Sequence, residues 1–277
     1  MGKILDGKVL AKNFEAAMTN VIKVRHLRPK LAIISCGNDD ASAVYMKNKV
    51  NAAKRIGIEC IRACLKESAC TEDIIKTVNM FNNDDTYHGI IVQLPLPSHI
   101  DVKQIQKSIL PYKDVDGFGK DSKFKTCTPF ACLRMLDSEN LTVNGTHCVV
   151  IGRSEIVGKP LARMLEERNA TVSLCHSKTP TSLLKTLCQS ADFIFCAAGR
   201  KDLVRADYIK DGCVLVDISI NRNEEGKLCG DASTECYEKC SYYTPVPGGV
   251  GPMTVNTLMW NTVSACLIQE NISLDSF

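Results

Sequence analysis

A lysine stands in the middle of an apolar helical stripe in the first half of the chain. The segment AVYMKNKVNAAKRIGIE, residues 43–59, has the periodicity of a helix, in which each residue lies about 100° further round than the last. The apolar residues within roughly 60° of Lys49 are Tyr45, Met46, Ala52, Ala53 and Ile56. A lysine at the centre of such a stripe needs a polar partner or a cleft to point into, because its ammonium cannot reach water along the edge. Lys49 is therefore a candidate functional residue.

Gln93 is a second candidate, because it closes the strand-like segment GIIVQLPLP. The Pro-x-Pro corner that follows ends sheet pairing and fixes the direction in which the chain leaves. The carboxyl ends of parallel strands face the ligand crevice, so Gln93 is expected to bind a ligand or a neighbouring side chain. Further on, Asp114 and Asp116 precede a glycine in KDVDGF. That pattern alone is more typical of a turn than of a binding site.

The second half contains a glycine turn of the kind that binds phosphate. VVIGRSEIVGKPLARML has the form strand, glycine turn and helix, which places backbone amides and a helix amino terminus where a pyrophosphate can bind. Gly152 and Gly158 match the first and last glycines of the dinucleotide fingerprint loosely, since Ser154 replaces the middle glycine and the spacing is longer. An ordinary buried turn between a strand and a helix remains the alternative.

The end of the next strand favours NADP over NAD. An NAD enzyme usually has an acidic residue there for the ribose hydroxyls, whereas ATVSLCHSKT ends in His176, Ser177 and Lys178. Arg153 and Ser177 are candidate donors for the 2′-phosphate of NADP. The alternative is that both are solvated loop residues.

Strand-like and helical segments alternate through the whole chain. The strand-like segments are KLAIISC, ECIRACL, HGIIVQLPLP, HCVVIGRS, ATVSLCHS, ADFIFCAAG and GCVLVDISI. The alternation predicts an α/β fold with parallel strands and crossover helices. A cluster of proline and polar residues at 125–129 is the predicted boundary between two α/β units. The last helix, MTVNTLMWNTVSACLIQ, could belong to either unit.

The glycine-rich stretch before the last helix, YTPVPGGVGPMT, is too apolar and too rigid for a flexible linker. Gly248, Gly249 and Gly251 would allow the backbone to approach a planar ligand closely. This stretch is therefore expected to line a binding site.

Composition excludes several other classes of function. The chain has 277 residues, 45% of them hydrophobic, and a net charge of +3 without a basic run, so neither nucleic acid nor a membrane is an expected partner. Its 15 cysteines include no Cys-x-x-Cys pair, and the amino terminus lacks the apolar core of a signal peptide. We expect a reducing, cytoplasmic location and no metal site, with most cysteines packed as small apolar residues.

Five motifs together resemble one family. In this order and at similar spacing, VYMKNK, GIIVQLPLP, KDVDGF, VVIGRSEIVGKP and TPVPGGVGPMT are similar to the bifunctional methylenetetrahydrofolate dehydrogenase/methenyltetrahydrofolate cyclohydrolases. The resemblance implies two α/β domains with parallel sheets, the C-terminal one Rossmann-like, and a cleft between them. It places a folate-binding catalytic domain at 1–128 plus 252–277 and an NADP-binding domain at 129–251. It also implies a homodimer and a role in one-carbon metabolism, including purine biosynthesis.

The resemblance assigns roles to individual residues. Lys49 would be the main catalytic residue, with Gln93 hydrogen-bonded to it, Tyr45 stacked on the folate and Asp116 on the pterin ring. The other folate contacts would be Pro247, Gly248, Gly249 and Val250. The cofactor contacts would be Gly152, Arg153, Ser154, Ile156, Gly158, Ser177, Ala198, Ile220, Gly251 and Thr254.

The implied reaction has two steps. Hydride leaves the one-carbon bridge of 5,10-methylenetetrahydrofolate for NADP, and water then attacks the methenyl carbon and opens the ring to 10-formyltetrahydrofolate. The first step mainly needs positioning, and the second needs proton transfers, to which a lysine removed from bulk water is suited. Lys49 is accordingly expected to serve the hydrolysis most directly.

The chain departs from the family pattern at two places. The segment between KDVDGF and CTP is shorter than usual, which predicts a more open rim to the folate cleft. Ser219 stands in DISIN where the family usually has glycine, which predicts weaker nicotinamide binding.

Three other functions compete with the one that the resemblance implies. A dehydrogenase for a shikimate-like acid would not explain PGGVGPMT. A folate-binding protein without catalysis is disfavoured by Lys49, Gln93 and Asp116, although Ser219 keeps it open. A monofunctional dehydrogenase is disfavoured by the presence of Lys49.

Overall fold

The computed structural model describes residues 2–37 and 40–273, and within the helix that begins at residue 40 it describes the side chains from residue 46 onward. The first-half elements are β1 (Lys3–Ile4), α1 (Gly7–Val24), β2 (Lys30–Cys36), α2 (Asp40–Ile56), β3 (Glu59–Leu65), α3 (Thr71–Asn82), β4 (Gly89–Val92) and α4 (Val102–Ser108). The second-half elements are α5 (Cys127–Ser138), β5 (His147–Ile151), α6 (Gly158–Glu166), β6 (Thr171–Cys175), α7 (Thr181–Ser190), β7 (Phe193–Cys196), β8 (Val214–Asp217), β9 (Asn221–Arg222), β10 (Leu228–Cys229), β11 (Tyr242–Tyr243) and α8 (Val250–Gln269). Strands and helices alternate, as the sequence predicts.

The chain divides into two compact units. The three-stranded unit comprises Lys12–Cys127 and the residues from Val255 onward, and the six-stranded unit comprises the residues up to Ala11 and Thr128–Thr254. The chain passes from the three-stranded unit to the six-stranded unit between Cys127 and Thr128, within the predicted boundary at 125–129.

The sheet of the three-stranded unit is parallel, with the order β3-β2-β4. The segments KLAIISC and ECIRACL form β2 and β3 over their full predicted length. Five consecutive residues of the central strand, 31–35, are buried, as expected for a parallel strand covered on both faces. Strand β2 lies between β3 and β4, so the strand order reverses at β2. Gln93 directly follows β4 and therefore lies at the carboxyl end of the sheet, where such a reversal opens a crevice.

The sheet of the six-stranded unit is also parallel, with the order β1-β11-β8-β7-β5-β6. From β5 onward this is the doubly wound order in which the first strand lies between the second and the third. The crevice outside the carboxyl ends of β5 and β7 is where such sheets bind ligands.

The amino-terminal strand lies in a different unit from the one expected. The domain prediction assigns all of residues 1–128 to the first domain, whereas Lys3 and Ile4 pair with Tyr242 and Tyr243 and extend the six-stranded sheet. The backbone N–H of Lys3 donates to Ser241 O at 2.8 Å. Two residues are too short for a periodicity, so the pattern at the amino terminus gave no sign of this pairing.

Helix α8 packs within the three-stranded unit from Val255 onward. It is apolar around most of its circumference, and Leu258, Met259 and Val263 share a buried cluster with residues of α2 and β2. The open question of its location is thereby settled. Within the described ranges, no helix is both long enough and apolar enough to cross a membrane.

Candidate active site

Lys49 has a buried polar partner. Lys49 is only 8% exposed, and its Nζ donates to Gln93 Oε1 at 2.9 Å. Met46, Ala53 and Ile56 on the same stripe of α2 are buried. The apolar face thus fixes the rotation of the helix, and that rotation directs the lysine inward.

Gln93 is oriented by the chain around it. Its backbone N–H donates to Ile34 O at 2.8 Å, which extends the pairing of β4 with β2 by one residue. Its side-chain Nε2 donates to Leu94 O at 2.6 Å, which leaves Oε1 for the lysine. The peptide bond from Leu94 to Pro95 is cis. The expected interaction of Gln93 with a neighbouring side chain is confirmed.

The two carboxylates of KDVDGF have separate functions. Asp114 forms the turn, because it accepts the backbone N–H of Gly117 at 3.2 Å and that of Gly119 at 2.7 Å. Asp116 lies in a pocket otherwise lined mainly by apolar side chains, among them Leu94 and Phe118. Turn formation therefore leaves Asp116 available for another role.

Burial raises the pKa of the Asp116 carboxyl to about 6. The nearby Lys49 ammonium acts in the opposite direction and favours the carboxylate. Lys49, Gln93 and Asp116 are thus parts of one site, in which an acid and a cation share a poorly solvated environment.

Asn261 of α8 holds the loop that carries Asp116. Its Nδ2 donates to Val115 O at 2.9 Å and to Lys125 O at 3.0 Å. Thr126 connects the two ends of the short segment 117–126, because its hydroxyl donates to Gly117 O at 2.9 Å. These contacts were missed in the sequence, since an asparagine among the apolar residues of the last helix was the only sign of them.

The six-stranded unit has the close packing that a dinucleotide site requires. Gly152 follows β5 with φ of 126°, and a Cβ at this position would lie 2.1 Å from Ala197 O. A Cβ at Gly158 would lie 2.0 Å from Gly152 O. Both positions therefore require glycine, which allows the start of α6 to approach the strand end. Ser154 Oγ accepts the backbone N–H groups of Val157 at 3.2 Å and Gly158 at 3.3 Å, so it caps this end of the helix.

The candidate phosphate donors of this unit are exposed. Arg153 follows the Gly152 turn, Ser177 follows β6, and both side chains are open to solvent. The stretch 169–191 contains no acidic residue, so no carboxylate opposes a 2′-phosphate at the end of β6. The residues present fit NADP.

The other predicted contacts are distributed as follows. Ala198 and Ile220 are exposed, Ile156 is half-buried, and a Cβ at Gly251 would lie 4.0 Å from Ile220 Cδ1. Thr254 belongs to the same unit, and its hydroxyl donates to Val250 O at 3.3 Å.

Of the predicted folate contacts in the glycine-rich stretch, Pro247 is exposed and Gly248 is half-buried, whereas Gly249 and Val250 are buried. The predicted stacking residue Tyr45 has a side chain that lies outside the described residues.

One group of side chains resembles a metal site. Atoms of His88, Cys266 and Glu270 that could bind a metal lie within 4.8 Å of one another. His88 Nδ1, however, accepts the backbone N–H of Lys30 at 3.1 Å, which places the proton of the neutral ring on Nε2. That atom faces Glu270 at 3.8 Å and would have to be the metal ligand. The hydrogen bond therefore stabilises the wrong tautomer for metal binding.

Comparison with known proteins identifies the family. A family model described as the catalytic domain of tetrahydrofolate dehydrogenase/cyclohydrolase matches residues 5–116, and one described as its NAD(P)-binding domain matches residues 126–270. The bifunctional protein FolD of Polaromonas naphthalenivorans is 42% identical over 276 residues, which cover 95% of this chain and 98% of that protein.

Two solved structures extend the comparison to the fold. The bifunctional FolD methylenetetrahydrofolate dehydrogenase/cyclohydrolase from Campylobacter jejuni has a TM-score of 0.93 and 39% identity, over 98% of this chain and 99% of that one. The Trypanosoma brucei methylenetetrahydrofolate dehydrogenase-cyclohydrolase, solved with NADP and an inhibitor, has a TM-score of 0.90 and 31% identity, over 95% of this chain and 97% of that one. These similarities span both compact units, so the chain belongs to the tetrahydrofolate dehydrogenase/cyclohydrolase family.

Proposed function

We propose that the chain oxidises 5,10-methylenetetrahydrofolate with NADP and then hydrolyses the methenyl product to 10-formyltetrahydrofolate. The observation that carries this proposal is the buried pair of Lys49 and Gln93 beside Asp116. A shikimate-type dehydrogenase is disfavoured because the folate family models match residues 5–116 and 126–270.

The hydrolysis depends on Lys49. Its ammonium is held at 2.9 Å from an uncharged amide oxygen and is shielded from bulk water. A nitrogen in this position is suited to transfer protons between the attacking water and the folate nitrogen that is released. Gln93 holds the lysine in place, Asp116 binds the pterin ring, and Tyr45 stacks on the folate.

The oxidation depends on the six-stranded unit. NADP supplies the hydride acceptor. Gly152, Ser154 and Gly158 form the close turn for its pyrophosphate, and Arg153 and Ser177 provide donors for the 2′-phosphate. The contacts proposed on the nicotinamide side are Ile156, Ala198, Ile220, Gly251 and Thr254, and those proposed for the folate are Pro247, Gly248, Gly249 and Val250.

A paired assay tests the proposal. NADP reduction with methylenetetrahydrofolate and the loss of methenyltetrahydrofolate absorbance above its spontaneous rate are measured on the same preparation. Lys49→Gln should lower the hydrolysis at least about 100-fold, the usual contribution of general acid–base catalysis. Lys47→Gln is the matched control, since Lys47 lies on the exposed face of the same helix and should retain both activities. Full hydrolysis by a folded Lys49→Gln protein would refute the role of the lysine.

We also propose that the protein is a cytoplasmic homodimer that supplies one-carbon units, among other uses, for purine biosynthesis. The cytoplasmic location is supported by the free cysteines, many of them buried. The dimer is supported by β6, an outer strand of the six-stranded sheet whose Leu174 is 38% exposed. Light scattering should give twice the mass of the 30.4 kDa chain, and a monomer at micromolar concentration would contradict the dimer.

We also propose that folate binds to the three-stranded unit and NADP to the six-stranded unit, with the predicted boundaries of 1–128 plus 252–277 and 129–251 corrected for the residues up to Ala11. Truncation is a poor test of these boundaries, because residues up to Ala11 pack in the six-stranded unit. Isotope-edited ligand titrations that follow each unit separately would test the assignment directly.

A further inference from the structure

The side chain of Ser219 is turned into the protein. The residue lies two positions after β8 and is 8% exposed. Its hydroxyl donates to Asp231 Oδ2 at 2.7 Å and accepts the backbone N–H of Gly199 at 3.1 Å. Ser219 is not among the described non-glycine residues with a positive φ, so its backbone does not require glycine. The hydroxyl therefore has a structural partner on each side.

Asp231 accepts hydrogen bonds from the backbone amides of the turn that follows β7. Its carboxylate accepts the backbone N–H groups of Ala198 at 2.7 Å, Gly199 at 3.2 Å and Arg200 at 2.6 Å. The side chain of Asn221 donates to the Asp231 carboxylate at 2.9 Å, and Asp231 is fully buried. Three consecutive amides that converge on one anion form a concave backbone nest. Here the anion belongs to the chain, which fixes the turn without a ligand.

This turn forms one wall of the crevice at the reversal of strand order. Ala197 directly follows β7, and its carbonyl oxygen leaves no room for a Cβ at Gly152. Gly152 in turn directly follows β5, the neighbour of β7. A shift of the Ala198–Arg200 turn would therefore move the surface against which the Gly152 turn packs.

We propose that Ser219 and Asp231 are positioning residues for cofactor binding: together they hold the Ala198–Arg200 turn in the conformation that NADP requires. The proposal rests on the proposed function of the six-stranded unit. It reverses the expectation that Ser219 weakens nicotinamide binding, because the hydroxyl is held by Asp231 and Gly199.

Two substitutions at Ser219 distinguish the alternatives. Ser219→Ala removes the hydroxyl alone, and Ser219→Gly also removes the Cβ and restores the usual residue of the family. If the hydroxyl holds the turn, both variants should raise KM for NADP about tenfold, as the loss of one hydrogen bond to a carboxylate predicts. If Ser219 instead obstructs the cofactor, Ser219→Gly should lower that KM, and the proposal would be wrong.

The second activity of the enzyme separates positioning from general damage. Hydrolysis of methenyltetrahydrofolate without cofactor should stay within about twofold of the wild-type rate in both variants, because Ser219 and Asp231 lie in the six-stranded unit and Lys49 lies in the other. Ser241→Ala is the matched control. Its hydroxyl donates to Cys213 O at the amino end of the same sheet, and its removal should leave KM for NADP unchanged.

Asp231→Asn provides a stronger perturbation. The amide places a donor where the carboxylate accepts, so KM for NADP should rise further than in Ser219→Ala. Direct titration of NADP binding by fluorescence is independent of turnover and gives the affinity even where oxidation is slow. Unchanged NADP affinity in both Ser219 variants would overturn the positioning role. A wild-type chain that binds NADP but does not reduce it would instead refute the proposed function.

Discussion

At the scale of the residue, Lys49 is held by the neutral amide of Gln93. The Gln93 oxygen carries no net charge, and it accepts the hydrogen bond from Lys49 Nζ at 2.9 Å, which fixes the position of the nitrogen. The carboxylate of the site is supplied by Asp116, on a separate loop. Positioning and charge are thus provided by different residues.

Asp116 should give the folate reaction a limb in its pH profile. Its pKa is raised to about 6, so the carboxylate that we propose to accept the pterin N–H groups is lost as the pH falls through that value. We expect kcat/KM for methylenetetrahydrofolate to rise with pH up to about 6 and then to level off. Asp116→Asn should remove this limb and lower kcat/KM at neutral pH. A limb of unchanged position in the variant would show that another group titrates.

At the scale of the element, Lys113 caps the carboxyl end of α3 from inside the protein. The residue is fully buried, and Nζ donates to Phe81 O at 3.0 Å, Asn82 O at 3.0 Å and Asp84 O at 2.9 Å. A cation at this end of a helix satisfies carbonyl groups that have no partner within the helix. These hydrogen bonds fix the position of Lys113, and with it the start of the turn that Asp114 forms.

Lys113→Met should destabilise the three-stranded unit by about 2–4 kcal/mol, because it leaves buried carbonyl groups without donors. Urea unfolding followed by the fluorescence of Trp260, the single tryptophan, would measure this change in the unit that contains it. Lys103→Met is the control, since Lys103 is exposed on α4 and its loss should change the midpoint little. Equal midpoints for the two variants would contradict the capping role.

The elements differ in how far the sequence could specify them. Strands β2 and β3 follow from short strand-like segments that alternate with helical ones, and the cofactor turn follows from its glycines. The roles of Asn261 and Asp231 do not, because each depends on contacts between distant segments, such as the bond from Asn261 to Val115 O across 146 positions. The same limit applies to KDVDGF, in which only the folded loop distinguishes the turn-forming Asp114 from Asp116.

At the scale of the whole molecule, a cofactor that binds the folded six-stranded unit must stabilise it by an amount that grows with the logarithm of the ratio of cofactor concentration to Kd. NADP at 100 times its Kd should add about 2.7 kcal/mol to the free energy of unfolding of that unit. If Arg153 binds the 2′-phosphate, Arg153→Ala should weaken NADP binding about tenfold and reduce this gain to about 1.4 kcal/mol at the same concentration.

Stabilisation by NAD separates the phosphate from the rest of the cofactor. NAD lacks the 2′-phosphate, so Arg153→Ala should leave its effect on unfolding unchanged, and thermal unfolding followed by far-ultraviolet circular dichroism would measure both cofactors. Arg205→Ala serves as the control, because Arg205 is exposed elsewhere in the same unit and should retain the full NADP effect. An equal loss of NAD and NADP stabilisation in Arg153→Ala would place the arginine at the pyrophosphate, and the preference for NADP would then have to come from Ser177 or another donor beyond the end of β6.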